Sequence, residues 1–254
     1  MPLLITPRDL LIPSDEPAVL EIEVERRYAP FVDPPAAGVR VEVEGHGETV
    51  TGADGLARVP LGILAPGTHA LRVRVSGAPP ARDVEAIVRS VPPDSTVFIT
   101  DIDRTIADVS PAGFILLPNR WVRPLPGARE ALTALAARME IVYLSARDHG
   151  FLAKTRRWLK RSGFPEAPLY LRRGTRFWTV GSQEHKVARL GELRSRFRNI
   201  RAGVGDLPGD IHAYTSHGIP AVIISPRTYP GLPESTVRVT DWTAILEWVK
   251  TSDQ

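Results

Sequence analysis

Two aspartates stand two residues apart in Asp101-Ile-Asp103-Arg-Thr105, directly after the apolar run Val97-Phe-Ile-Thr100. On a chain just leaving a strand, that spacing can aim a side chain and a backbone carbonyl into one small volume. Ser145-Ala-Arg147-Asp148 follows a second apolar run, Ile141-Val-Tyr-Leu144, and Gly203-Val-Gly205-Asp206-Leu-Pro-Gly-Asp210 closes a later one. Lys186 starts the helical stretch that leads into the last of these. Several carboxylates packed together repel unless a cation neutralises them, and oxygen ligands without His or Cys select a hard ion, Mg²⁺ first. Next to such an ion, a carboxylate can attack phosphorus and form an acyl phosphate, splitting one hard step into two. A second carboxylate protonates the leaving alkoxide and later deprotonates the attacking water. The cation, a lysine and hydroxyl donors hold charge on the transferring oxygens. The chemistry these residues suit is phosphoryl transfer.

Each residue also has a plainer reading. Asp101 and Asp103 could cap a helix or make a turn after a strand, and Ser145, Asp206 and Asp210 could do the same. Lys186 alone would read as solvated helix surface. His149, His185 and His212 lack metal-ligand spacing. The chain has no cysteine, which excludes disulfides, thiolate zinc sites and cysteine nucleophiles.

The elements that position these residues begin near Ser90-Val-Pro-Pro-Asp-Ser95. From there, apolar runs at Val97–Thr100, Ile141–Leu144, Pro168–Leu171, Ile200–Val204 and Ala221–Ile224 alternate with periodic stretches. Helices are expected over Ala128–Arg138, Phe151–Arg161, Glu184–Arg198, Ile211–His217 and Thr243–Lys250. Near-continuous apolar strands separated by helices mean a parallel sheet covered on both faces. Ligands of such sheets bind at the carboxyl ends of the strands, at a switch point. Residues 1–90 read differently. Glu21-Ile-Glu-Val-Glu25, Val39-Arg-Val-Glu-Val-Glu44 and Leu71-Arg-Val-Arg-Val75 alternate polar and apolar residues between turn clusters such as Asp54-Gly55 and Pro66-Gly67. That pattern predicts a small all-β sandwich over 1–90, followed by an α/β domain over 91–254.

Composition agrees with two soluble modules. Of 254 residues, 43% are hydrophobic and 24% charged, which disfavours disorder and fibrous repeats. Residues 1–90 carry nine Arg/Lys against thirteen Asp/Glu, a balance of −4. Residues 91–254 carry the other 23 basic and 16 acidic residues, a balance of +7 that reads equally as favouring an anionic partner or as Arg-rich decoration of solvated helices. No apolar stretch approaches the roughly 20 residues of a membrane span. The amino-terminal segment lacks a basic region followed by an apolar run, so no secretory signal is expected there. The expected compartment is the cytoplasm, with peripheral membrane contact as the variant.

The four motifs, Asp101-x-Asp103-x-Thr105, Ser145, Lys186 and Gly205-Asp206-x-x-x-Asp210, resemble in order those of the haloacid-dehalogenase-type phosphatases. Tyr143-Leu-Ser-Ala-Arg147, Thr155-Arg156-x-Trp-Leu159 and Asp210-Ile-His-Ala-Tyr214 sharpen the likeness to the catalytic domain of lipins and of actin-patch phosphatidate phosphatases. The resemblance covers residues ~95–226. The order of strands and turns in residues 1–90 resembles transthyretin-like modules, which speaks to fold and not to function.

The resemblance implies Asp101 as nucleophile and Mg²⁺ ligand. It implies Asp103 as general acid/base that also lends a carbonyl to the metal. Thr105, Ser145 and Lys186 are implied on the phosphate side, Thr105 also orienting the acid, and Asp206 and Asp210 as further metal residues, Asp210 through water. Arg104 departs from the family, which usually has a small or acidic residue there. The gaps, about 26 residues after Asp101 and about 41 between Ser145 and Lys186, leave no room for a large cap domain. An open site suits a phosphate on a large or interfacial substrate, and a lipid phosphate such as phosphatidate is the expected class. Two alternatives stand beside it: a non-catalytic phospholipid-sensing module, and a nucleic-acid end phosphatase, for which no groove-reading or base-stacking element is visible. Arg172, Arg173 and Arg176 are expected near the mouth of the site. Phe114-Ile-Leu-Leu117 with Trp121 reads as a small buried flap. Residues 1–90 offer no set of acid, base and nucleophile, so an accessory role is expected for them.

Overall fold

The computed structural model describes residues 2–27, 33–75, 83–173 and 182–251. The chain divides into two compact units. The first is Met1–Pro93 with Asp148–Gly150 and a segment beginning at Arg173; the second takes Asp94–Arg147, Phe151–Arg172 and the chain from Gly181.

Within Met1–Pro93 the first unit is all β among its described residues. Its strands are β1 (Leu3–Pro7), β2 (Leu10–Pro13), β3 (Pro17–Arg26), β4 (Arg40–Val43), β5 (Gly47–Val50), β6 (Leu56–Ile63), β7 (Gly67–Val75) and β8 (Val84–Val91). They form one sheet of order β1-β3-β6 and another of order β2-β8-β7-β4-β5. Period-2 alternation turns Leu20, Ile22 and Val24 of β3 and Val41, Val43, Val73 and Val75 of β4 and β7 into one shared apolar core.

The second unit contains β9 (Val97–Thr100), α1 (Pro111–Leu116), α2 (Ala128–Ala136), β10 (Glu140–Asp148), α3 (Leu152–Arg161) and β11 (Leu169–Arg172). After these come α4 (Ser182–Arg196), β12 (Ile200–Gly205), α5 (Pro208–Thr215), β13 (Ala221–Ile224), β14 (Val237–Val239) and α6 (Trp242–Thr251). The sheet order is β11-β10-β9-β12-β13-β14. The pairs β10–β9, β9–β12, β12–β13 and β13–β14 are all parallel. Phe98, Tyr143, Val204 and Val222 pack with Leu132 of α2, Trp158 of α3 and Trp242 of α6 in one core cluster. Helices α4 and α5 bury Leu190, Leu193, Ile211 and Tyr214 outside that cluster, so the sheet is covered on both faces. The expected α/β fold, a parallel sheet preceded by an all-β region, is the one observed.

Topology then fixes where a ligand can sit. From β9 the chain steps outward to β10 and β11, then returns to lay β12 against the other side of β9. The carboxyl ends of β9 and β12 therefore part the connections on either side, which is the switch point of an open α/β sheet. The Asp101 N–H bonds the Val204 carbonyl at 2.9 Å, tying the two strand ends together.

Candidate active site

Each predicted site residue can be traced to the element that holds it. Asp101 is the first residue beyond β9 and Asp206 the first beyond β12. Ser145 lies inside β10, which runs on to Asp148, and not after it as its motif suggested. Lys186 sits one turn into α4, since that helix begins at Ser182. Asp210 is in the first turn of α5, where its Oδ2 accepts from the Leu207 N–H at 3.3 Å and so caps the helix end.

These elements bring one carboxylate oxygen each of Asp101, Asp206 and Asp210 within 4.8 Å of one another. All three residues are buried, as are Ser145 and Lys186. Together with Asp103, Arg104, Pro111, Gln183 and Leu207 they line a cavity of about 190 Å³. That is below the roughly 300 Å³ at which pockets begin to enclose whole small ligands. The volume suits a phosphoryl group with the rest of its ester outside.

Two glycines on β12 make the approach possible. A Cβ at Gly205 would lie 2.5 Å from Asp210 Cβ and Oδ2, and one at Gly203 would lie 2.2 Å from the Tyr214 ring. Any side chain at either position would push α5 off the strand end and carry Asp210 with it.

Electrostatics follow from burial. Lys186 Nζ donates to Asp210 Oδ1 at 2.6 Å and meets Asp101 Oδ2 at 3.2 Å. Burial works against the Lys186 charge, but Asp101 and Asp210 outweigh it and push its pKa up. Burial pushes Asp101 up to about 6, against the pull of Lys186 and with help from Asp210 and Asp103. Burial, then Asp101 and Asp210, push Asp206 up to about 7. Three carboxylates sharing one lysine are short of positive charge. The second oxygen of Asp101, Oδ1, is buried without a hydrogen-bond partner. An orphaned carboxylate oxygen beside two other acids is the donor set a hard divalent cation fits. Asp101 and Asp206 would hold such an ion. Asp210, already committed to Lys186 and Leu207, would act from behind them.

Asp103 is placed differently. Its carboxylate takes Arg147 Nε on Oδ2 and Nη2 on Oδ1, both at 2.8 Å, in a buried two-point pair. It therefore stands apart from the acid trio, consistent with a metal contribution limited to its carbonyl. Arg147 is held in turn by the Phe114 ring, 3.4 Å from its guanidinium carbon, and by Thr155 Oγ1 at 3.3 Å. The partner of Arg147 is thus Asp103 and not its chain neighbour Asp148. A signal was present: Ser145 and Arg147 are two apart on one strand and share a face. Thr105 does not reach the cavity wall. Its hydroxyl donates to the Asp103 carbonyl at 3.4 Å, which places it against the backbone of the acid it was expected to orient.

Three expectations change. Arg172 is buried, and Arg173 pairs with Glu23 at 2.6 and 2.9 Å, so neither lines the cavity. Arg176 lies outside the described residues. In the flap only Phe114 is buried, while Leu116 and Trp121 are 80% and 60% exposed.

With this geometry in view, comparison with known proteins decides the family. Residues 98–224 match the model of the LNS2 domain described as PITM 1-3. The chain belongs to the LNS2-domain family. The match begins within β9 and ends with β13, so it spans every residue of the site. Similar solved structures include the D,D-heptose 1,7-bisphosphate phosphatase of B. bronchiseptica complexed with magnesium and phosphate. It is 18% identical, covers 62% of this chain and 99% of its own, and has a TM-score of 0.46. Others are the cobalt-bound deoxy-D-mannose-octulosonate 8-phosphate phosphatase of Haemophilus influenzae (14% identity, 63% and 90% coverage, TM-score 0.43). A hydrolase of the haloacid-dehalogenase superfamily from Ehrlichia chaffeensis is similar at 14% identity, 63% and 98% coverage and a TM-score of 0.42. No curated protein matches the chain. Among the described residues, no helix of this LNS2-family chain is long and apolar enough to cross a membrane.

Proposed function

We propose that this chain is a Mg²⁺-dependent phosphatase that hydrolyses a phosphomonoester through an aspartyl-phosphate intermediate, with a lipid phosphate such as phosphatidate as the substrate class. The observation that carries the reading is the convergence of Asp101, Asp206 and Asp210 on one another, with Lys186 paired to Asp101 and Asp210 and with Asp101 Oδ1 unpartnered.

In this reading the phosphoryl group enters between Asp101, Ser145 and Lys186. Asp101 attacks phosphorus, and the ester oxygen leaves with a proton from Asp103. Water then attacks the aspartyl phosphate, Asp103 takes its proton, and orthophosphate and free Asp101 are restored. Arg147 takes one lone pair of each Asp103 oxygen, which leaves the second on each for the proton. Ser145 and Lys186 hold the non-bridging oxygens as charge builds on them. Asp101, Asp206 and the Asp103 carbonyl would hold a divalent ion, which would supply Lewis-acid stabilisation of that charge.

A small cavity open at its mouth supports a substrate whose bulk stays outside, and exposed Leu116 and Trp121 support contact with a lipid surface. Peripheral attachment from the cytoplasm accords with this. Residues 1–90 are assigned an accessory, non-catalytic role. The test is phosphate release from an aryl phosphate with and without EDTA, followed by phosphatidate in mixed micelles. Activity that survives Asp101→Asn refutes the mechanism.

The two-point grip of Arg147 on Asp103 favours one other reading, a module that binds a phosphorylated lipid without turning it over. Liposome binding by the intact chain, with no phosphate released under any divalent ion, would establish that reading instead.

A further inference from the structure

Arg104 is the one non-glycine residue with a positive φ, 55°, among the described residues. Its N–H donates to the Ala107 carbonyl at 2.8 Å, while the Ile102 carbonyl accepts from Ile106 and Ala107, each at 2.9 Å. A loop this tight demands a left-handed residue at its bend, and glycine is the residue that adopts it without a steric penalty. An arginine kept in that conformation directs attention to what its side chain does.

That side chain is exposed at the cavity, whereas Asp101, Ser145 and Lys186 are buried within it. It lies near enough to Asp206 to favour the ionised form of that acid. The other cations of the site are committed: Lys186 to Asp101 and Asp210, Arg147 to Asp103. With a divalent ion in place, the ion and Lys186 cancel the charges of Asp101, Asp206 and Asp210. An arriving phosphomonoester dianion then meets, outside the Arg147–Asp103 pair, no net charge but that of Arg104. Guanidinium is the group whose planar fork matches two phosphoryl oxygens at once.

We propose that Arg104 is a substrate-binding residue whose guanidinium takes non-bridging oxygens of the phosphoryl group at the cavity mouth, so that the site selects phosphomonoester dianions over singly charged diesters. The proposal rests on the phosphatase reading for the identity of the anion, and deepens it by naming the residue that recognises the charge.

Arg104→Gly and Arg104→Lys in the full chain test it. With Mg²⁺ and an aryl phosphate, Arg104→Gly raises KM and the inhibition constant for orthophosphate together, by about tenfold or more, and Arg104→Lys recovers part of the loss. Calorimetry of orthophosphate binding to Asp101→Asn, with and without Arg104→Gly, gives the same ratio without turnover. An unfolding midpoint of Arg104→Gly at or above that of the parent shows that the loss is not unfolding, as expected when glycine relieves the bend. Phosphate affinity indifferent to Arg104→Gly overturns the proposal while leaving the phosphatase reading intact. Affinity that falls with Arg104→Gly in a chain that turns over no phosphomonoester upholds Arg104 and sinks the phosphatase reading instead.

Discussion

Lys186 is the residue whose removal exposes the electrostatics of this site most directly. Lys186→Met keeps the length and most of the volume of the side chain but leaves Asp101, Asp206 and Asp210 without their buried counter-charge. Removing one partner of a buried ion pair costs about 3–5 kcal/mol, because the abandoned charge stays desolvated. The penalty depends on pH. A carboxylate whose folded-state pKa lies above its unfolded value near 4 is ionised in the fold at a cost. That cost is absent below the unfolded value, grows as pH rises, and is complete above the folded value. For Asp101 the folded value is about 6 and for Asp206 about 7, and losing the pull of Lys186 moves both higher. Stability lost in Lys186→Met is therefore largest at pH 8.5 and shrinks toward pH 5.5, where the acids take up protons. Saturating Mg²⁺ recovers part of it at pH 8.5, because a ligand bound only by the folded state adds stability by mass action. Urea unfolding followed by tryptophan fluorescence is the assay. Four of the five tryptophans, Trp121, Trp158, Trp242 and Trp248, belong to the unit that carries the site, so the signal reports chiefly on that unit. A destabilisation of equal size at both pH values, or one that Mg²⁺ leaves untouched at pH 8.5, refutes the claim that Lys186 neutralises a cluster of cation-binding acids.

The same raised carboxylates make cation binding pH-dependent: apparent Mg²⁺ affinity falls as pH drops below about 7, with proton release measurable by calorimetry in buffers of different ionisation enthalpy. Affinity constant from pH 8 to pH 5 contradicts the assignment of Asp101 and Asp206 as the ion's ligands. Gly205→Ala places a methyl group 2.5 Å from Asp210 and is expected to destabilise the fold by about 1–3 kcal/mol. The same shift of α5 weakens orthophosphate binding, so normal stability and normal binding in this variant would show that β12 and α5 are not packed as described.

The acid pair, the serine and Asp206 were legible in the chain because each stands just beyond or within an apolar run that reads as a buried strand, whereas Lys186 and Asp210, which ride on helices α4 and α5, were legible only through the order of the motifs. Strand period and turn chemistry suffice for that much. Local pattern was weaker where partners lie far apart in sequence. Arg147 could be read as pairing with its neighbour Asp148, and only packing of β10 beside β9 gives it to Asp103, 44 residues away. Thr105 carried the motif's phosphate-side role on sequence, yet the turn at Ile102–Ala107 faces its hydroxyl toward the Asp103 carbonyl. Arg172 and Arg173 follow a strand end as the site residues do, but the outer position of β11 in the sheet keeps them from the cavity.

What the amino-acid sequence determined by itself was the inventory of groups and the elements they ride on, since hydrophobic period and motif order are local properties of a chain. What tertiary structure alone decided was pairing. Whether a buried carboxylate faces a lysine, an arginine or two other carboxylates sets its charge and its orientation, and that depends on strand order and helix docking. Asp101 and Asp103 are two residues apart and chemically identical, yet one looks into a cluster short of positive charge and the other into a guanidinium.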